Sequence, residues 1–184
     1  MADRAWMGRR LAVLLAVASF AAPALADGPR VTRAERYGAW GYSCAVAQVD
    51  GREVERCMIS QLVATDPAQR KVVLGLTVDL AHSARVPTLR ARFSAMAQRE
   101  AGIGVKIDAR PDMRLAISDC NPQRCEAVGR MSAPVLKQWS SGKRAQFAYL
   151  QRNGKQRVFP ISLQGFDEAL AALRRHAGSQ PRPA

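Results

Sequence analysis

The stretch that most restricts the fold is Asp119-Cys120-Asn121-Pro122-Gln123-Arg124-Cys125-Glu126. Asn-Pro starts a turn, because proline fixes φ near −65° and asparagine bonds its own backbone. Apolar residues alternate on the way in, at Leu115 and Ile117, and continue on the way out through Ala127 to Met131. A disulfide across this turn would clip two neighbouring strands together and help to fix their register.

Two more cysteines, Cys44 and Cys57, flank a second turn signal at Asp50-Gly51. Four cysteines allow three pairings. Pairing neighbours, Cys44 with Cys57 and Cys120 with Cys125, is favoured because each pair brackets a short turn-bearing segment. Loop closure then contributes roughly 3 kcal/mol for the first bridge and roughly 2 for the second. Zinc is the competing use of the thiols, but the spacing lacks paired C-x2-C and the chain has only two histidines. A redox dithiol calls for C-x-x-C, which is absent. The reading is structural disulfides, with no metal and no cofactor.

Disulfides imply an oxidising compartment, and the N-terminus agrees. Arg4, Arg9 and Arg10 precede an apolar run from Leu11 to Ala22, and Ala24-Leu25-Ala26 offers an A-x-A cleavage site. Residues 1–26 therefore read as a secretory signal peptide. The run is too short to span a bilayer, roughly 12 residues against about 20. The protein is expected to be exported, periplasmic or associated with the outer surface, with no transmembrane segment after cleavage.

Residues 27–36 carry no apolar pattern and read as a flexible lead-in. An ordered domain is expected over 37–176, followed by a disordered tail over 177–184. Trp40, Tyr42 and Cys44 share one strand face, and Leu74, Leu76 and Val78 give the clearest half-buried strand. Ile103, Val105 and Ile107 mark another, whereas Leu89 to Met96 fits strand or helix. Ser132-Ala133-Pro134 predicts a short helix near 133–140. Phe166, Ala169, Leu170 and Leu173 follow helical spacing, with acids in the first turn and Arg174, Arg175 and His176 in the last. Asn153-Gly154 predicts a two-residue hairpin loop setting Arg152 opposite Lys155 and Leu150 opposite Arg157. Apolar residues on both faces of that hairpin suit a strand pair inside a two-sheet stack rather than at its rim. The fold class is all-β, a mainly antiparallel β-sandwich with two helices and disulfide staples.

The order and spacing of these elements resemble the invasion-associated locus B family of bacterial envelope proteins. The likeness rests on Gly38, Trp40, Cys44, Cys57 and Gln61; on Gly102 to Asp108 followed by Cys120 and Cys125-Glu126-Ala127; and on Gly142-Lys143 with Ile161 to Phe166, Ala169 and Leu170. Ala84 to Arg99 departs from the family pattern. The resemblance implies a small exported β-rich domain without carried-over catalytic residues, in a family associated with host-cell invasion in some pathogens.

No G-x-S-x-G elbow, H-E-x-x-H motif or free nucleophilic cysteine is evident, so an enzyme is not expected. Twenty-eight basic residues against 15 acidic ones give a net charge of +13, which favours anionic partners. Export and the lack of aromatic stacking platforms argue against nucleic acid. Candidate anion contacts are Arg90, Arg92, Arg152, Lys155 and Arg157, which strand alternation or a hairpin tip would cluster. The expected partners are anionic envelope or host-surface molecules. The alternative is a periplasmic structural or stress-related domain that recognises another envelope protein through an apolar patch.

Overall fold

A computed structural model describes residues 28–65, 71–80 and 86–179. The signal-peptide reading of 1–26, the break at Asp66-Pro67, His82 and the last residues of the tail lie outside them. Two antiparallel sheets form the fold. The larger has seven strands in the order β1-β2-β3-β4-β5-β9-β8, and the smaller has four in the order β11-β10-β6-β7. The elements are β1 (Arg30–Tyr37), β2 (Trp40–Val49), β3 (Arg52–Ala64), β4 (Val72–Asp79), β5 (Thr88–Ser94), β6 (Ile103–Ile107), β7 (Met113–Leu115), β8 (Ile117–Cys120), β9 (Arg124–Arg130), α1 (Ala133–Ser141), β10 (Arg144–Leu150), β11 (Gln156–Ser162) and α2 (Phe166–Ser179).

The core lies between the sheets, where the alternation places it. Leu74, Leu76 and Val78 of β4 and Leu89, Ala91 and Phe93 of β5 point inward from the larger sheet. Ile103, Val105 and Ile107 meet them from the smaller one. Phe93 stacks on Tyr149 across the gap, with ring centroids 5.0 Å apart. Leu89 to Met96, open to either reading from the sequence, is a strand because its neighbours β4 and β9 supply ladder partners on both sides.

Both helices close one end of the stack. Trp40 of β2 meets Trp139 of α1 and Phe166 of α2 edge to face, and those two rings tilt against each other, with centroids 5.1–6.1 Å apart. Both disulfides form as the neighbour pairing requires. Cys44 lies directly opposite Cys57 across β2–β3, and Cys120 opposite Cys125 across β8–β9. In the second clip Asn121 Oδ1 accepts from the backbone N–H of Gln123 and of Arg124, the turn chemistry expected of Asn-Pro.

Four expectations are corrected. Within 27–36, residues from Arg30 onward are not a flexible lead-in. They form β1, paired with β2 from Arg30↔Val46 to Tyr37↔Trp40. Its side chains are almost all exposed, so no apolar alternation announces it; the ladder to β2 makes it a strand. Thr32 bulges out of register and donates its hydroxyl to Glu55 at 2.5 Å, and a bulge blunts an exposed edge. At the other terminus, the helix runs to Ser179, so the segment 177–179 is not a disordered tail.

The last hairpin is off by one from the expected register. Leu150 pairs with Gln156 and Phe147 with Phe159, around a three-residue loop of Arg152, Asn153 and Gly154. Gly154 takes the left-handed position at φ +81°, a residue choice that such loops favour. A one-residue slip would turn Phe159 and Ile161 away from Phe147 and Tyr149, so core packing overrides the two-residue signal. Finally, β11 is an edge strand and not an interior one, with Val158 51% exposed. Pro160 explains this, since proline cannot donate to a further ladder.

Candidate functional site

The sequence-predicted cations fall into two groups on different sheets. Arg90 and Arg92 share the outward face of β5, as an extended segment requires. Arg92 lies directly opposite Glu126 of β9, with Nε 2.6 Å from Oε2. Arg90 spans two acids, with Nε 3.2 Å from Asp79 Oδ2 and Nη1 3.3 Å from Glu126 Oε1. Both guanidinium groups already hold resident carboxylates, and an external anion would have to displace them.

The hydrogen bond from Arg92, with the charge of both arginines, holds the Glu126 carboxyl below its usual range against a smaller opposing effect of burial. A depressed folded-state pKa contributes stability above the unfolded value, about 4.3 for glutamate, and loses it as pH falls through the folded value. We therefore expect Glu126→Gln to cost about 1 kcal/mol at neutral pH, because the arginines are partly exposed. The difference from the parent should shrink as pH falls below about 4. Urea unfolding across that range checks it, and a cost independent of pH would contradict the role given to the ion pair.

Arg152, Lys155 and Arg157 lie at the β10–β11 tip. Arg152 donates from Nη2 to Ala95 O at 3.3 Å, and Arg157 sits 5.9 Å over the Phe159 ring centroid. Lys155 is exposed, its backbone N–H donating to Asn153 Oδ1. Among the described residues these three have no recorded carboxylate partner.

A concave site lies elsewhere, between β1, β2 and α2. Arg33, Glu35 and Tyr37 come from β1, Tyr42 from β2, and Ala172, Arg175 and His176 from α2; together they line a cleft of about 350 Å³. β1 delivers Arg33, Glu35 and Tyr37 on one face because strand side chains alternate. The C-terminal half of α2 delivers Arg175 and, from its last turn, His176. The Tyr37 hydroxyl donates to Glu35 at 2.5 Å, and this bond keeps the phenol protonated above its ordinary pKa. Tyr42 is also pushed up, chiefly by burial, while Arg33 opposes the shift. Its hydroxyl lies 3.0 Å from Cys44 Sγ. A bridged sulfur carries no proton, so the phenol is the donor. His176 Nε2 stands 3.4 Å from Glu55 Oε2. The cleft thus offers two guanidinium groups to an acidic ligand, beside an imidazole and a carboxylate, Glu35, that the Tyr37 hydroxyl already engages.

Sequence reasoning missed this cleft. It took Arg33 as part of a flexible segment and His176 as a helix-end cation. The period-two spacing of Arg33, Glu35 and Tyr37 was the available signal. Nothing local announced that Arg175 would meet them from the far end of the chain.

A disulfide-stapled stack of two antiparallel sheets, capped by two helices, defines the class of protein. The sequence model of the invasion associated locus B (IalB) protein family matches residues 40–174, and the chain belongs to that family. The fold is similar to the crystal structure of invasion associated protein B from Bartonella henselae, with a TM-score of 0.67 and 18% identity over 80% of this chain and 98% of that one. No curated protein matches.

Proposed function

We propose that this is an exported, non-enzymatic envelope protein that binds anionic groups of envelope or host-surface molecules in the cleft between β1, β2 and α2. The carrying observation is that Arg33 and Arg175, far apart in sequence, line one concavity beside His176. Arginine suits the role because its planar fork matches carboxylate and phosphate oxygens. Both disulfides accord with an oxidising compartment. Among the described residues no helix is long and apolar enough to cross a membrane.

The test is binding of the mature protein to immobilised sulfated polysaccharide and to lipopolysaccharide over a salt series. Retention should weaken steeply with salt. It should fall about tenfold or more in R33A/R175A, equivalent to about 1.4 kcal/mol. R152A/K155A/R157A is the comparator. Binding lost in that variant and kept in R33A/R175A would move the site to the hairpin, and binding indifferent to salt would end the reading.

A second reading has one observation in its favour. Met58 and Leu62 alternate outward on β3, 37% and 65% exposed, on the face of the larger sheet turned away from the core. That suits an apolar contact with another envelope protein.

A further inference from the structure

His176 closes over the Cys44–Cys57 bridge. One of its nitrogens and both sulfurs lie within 4.8 Å of one another, the one such group of potential metal donors among the described residues. Cys44 is 1% exposed and Cys57 half-buried. The imidazole is largely covered, 15% exposed. Glu55 orients the ring from its other neighbour β3. Tyr42, whose hydroxyl lies 3.0 Å from Cys44 Sγ, and His176 both line the cleft beside this sulfur pair. The Cys120–Cys125 clip is different in kind, since among the described residues it belongs to no such donor group.

We propose that this is a redox-linked metal site, in which the reduced Cys44–Cys57 pair and His176 take one Zn²⁺. Tetrahedral zinc with Zn–S near 2.3 Å and Zn–N near 2.0 Å sets its donor atoms roughly 3.5–4 Å apart. The S–S bond must therefore break and the sulfurs separate, while the imidazole is already within reach. The balance is simple. An external dithiol gives two electrons to the bridge, becomes a disulfide itself and leaves two protein thiols. Zn²⁺ then binds both as thiolates with release of two protons. Glu55, 3.4 Å from His176 Nε2, holds the ring and adds negative charge beside the ion. Exchange with an external disulfide takes the two electrons back and leaves an external dithiol; the rejoined bridge no longer offers two thiolates, and the metal is expelled. The spacing test applied to the sequence missed this because the third donor arrives from α2, at the opposite end of the domain.

The experiment uses the mature chain with Cys120→Ser and Cys125→Ser, so that a single thiol pair is present. Protein reduced by a phosphine and freed of reductant under anaerobic conditions is titrated with Zn²⁺ against a chromophoric chelator. Co²⁺ substitution reads thiolate coordination from its absorption spectrum. We expect one Zn²⁺ per reduced chain and none per oxidised chain. His176→Gln should lose stoichiometric uptake, and Glu55→Gln should weaken it about 10–100-fold. Uptake that is absent in the reduced chain, or unchanged in His176→Gln, overturns the proposal. If reduction alone unfolds the chain, Zn²⁺ must restore the native circular dichroism; failure to do so also overturns it.

Discussion

Trp40→Ala is expected to destabilise the domain by about 3–5 kcal/mol, the range for emptying a large aromatic site in a core. Trp40 is fully buried and meets two further aromatics, Trp139 at 6.1 Å and Phe166 at 5.2 Å. These come from α1 and α2, so the indole joins both helices to the larger sheet. Its Nε1 donates to Ser162 O at 3.0 Å, at the end of β11. Removing it opens a cavity where four elements converge, too many to collapse together. Trp40→Phe separates packing from hydrogen bonding. The ring contacts largely remain, and Ser162 O keeps the bond from Gln61 Nε2 at 2.9 Å. That variant should cost only about 1–2 kcal/mol. Urea unfolding of the oxidised protein measures both, and a cost below about 1 kcal/mol for Trp40→Ala would show that the junction is not held by the indole.

Much of this frame was legible because it rests on local rules. Period-two alternation located β4 and β6 from Leu74, Leu76 and Val78 and from Ile103, Val105 and Ile107. Helical spacing located α2, and the turn-bracketing cysteines gave the correct bridges. The failures share another cause. β1 has no apolar face, so only its ladder to β2 reveals it. The hairpin register was misjudged because Asn-Gly states a local preference, whereas Phe147, Tyr149, Phe159 and Ile161 decide it by burial together. The ion pairing of the β5 arginines was hidden for a similar reason. The shared face of Arg90 and Arg92 was readable, but the carboxylates that neutralise it come from β4 and β9. Strand partners are non-local, and so is the cleft, whose walls come from the first strand and the last helix.

That meeting of chain ends is itself a target, and Gly165→Ala should be about as damaging as the loss of Trp40. Gly165 has φ +84°, a conformation that side chains adopt at a cost. More seriously, a Cβ there would lie 2.0 Å from Tyr37 O and 2.8 Å from Gly38 N. The obstructing atoms are backbone, part of the β1–β2 turn, and cannot swing aside as a side chain could. The same junction is held from the other side, where the Ala39 N–H donates to Gln164 O at 3.0 Å. Strain and overpacking together should cost about 3 kcal/mol or more. Gly154→Ala provides the comparison, because its φ of +81° is nearly the same but nothing lies within 4 Å of the added carbon. Backbone strain alone should cost that variant about 1–2 kcal/mol. The difference between the two measures what close approach contributes. Because β1 carries Arg33 and α2 carries Arg175, Gly165→Ala should also weaken anion retention under conditions where the domain stays folded, whereas Gly154→Ala should leave it unchanged. Equal unfolding costs would mean that the turn yields freely, and that the contact at Gly165 does not set the separation of the cleft walls.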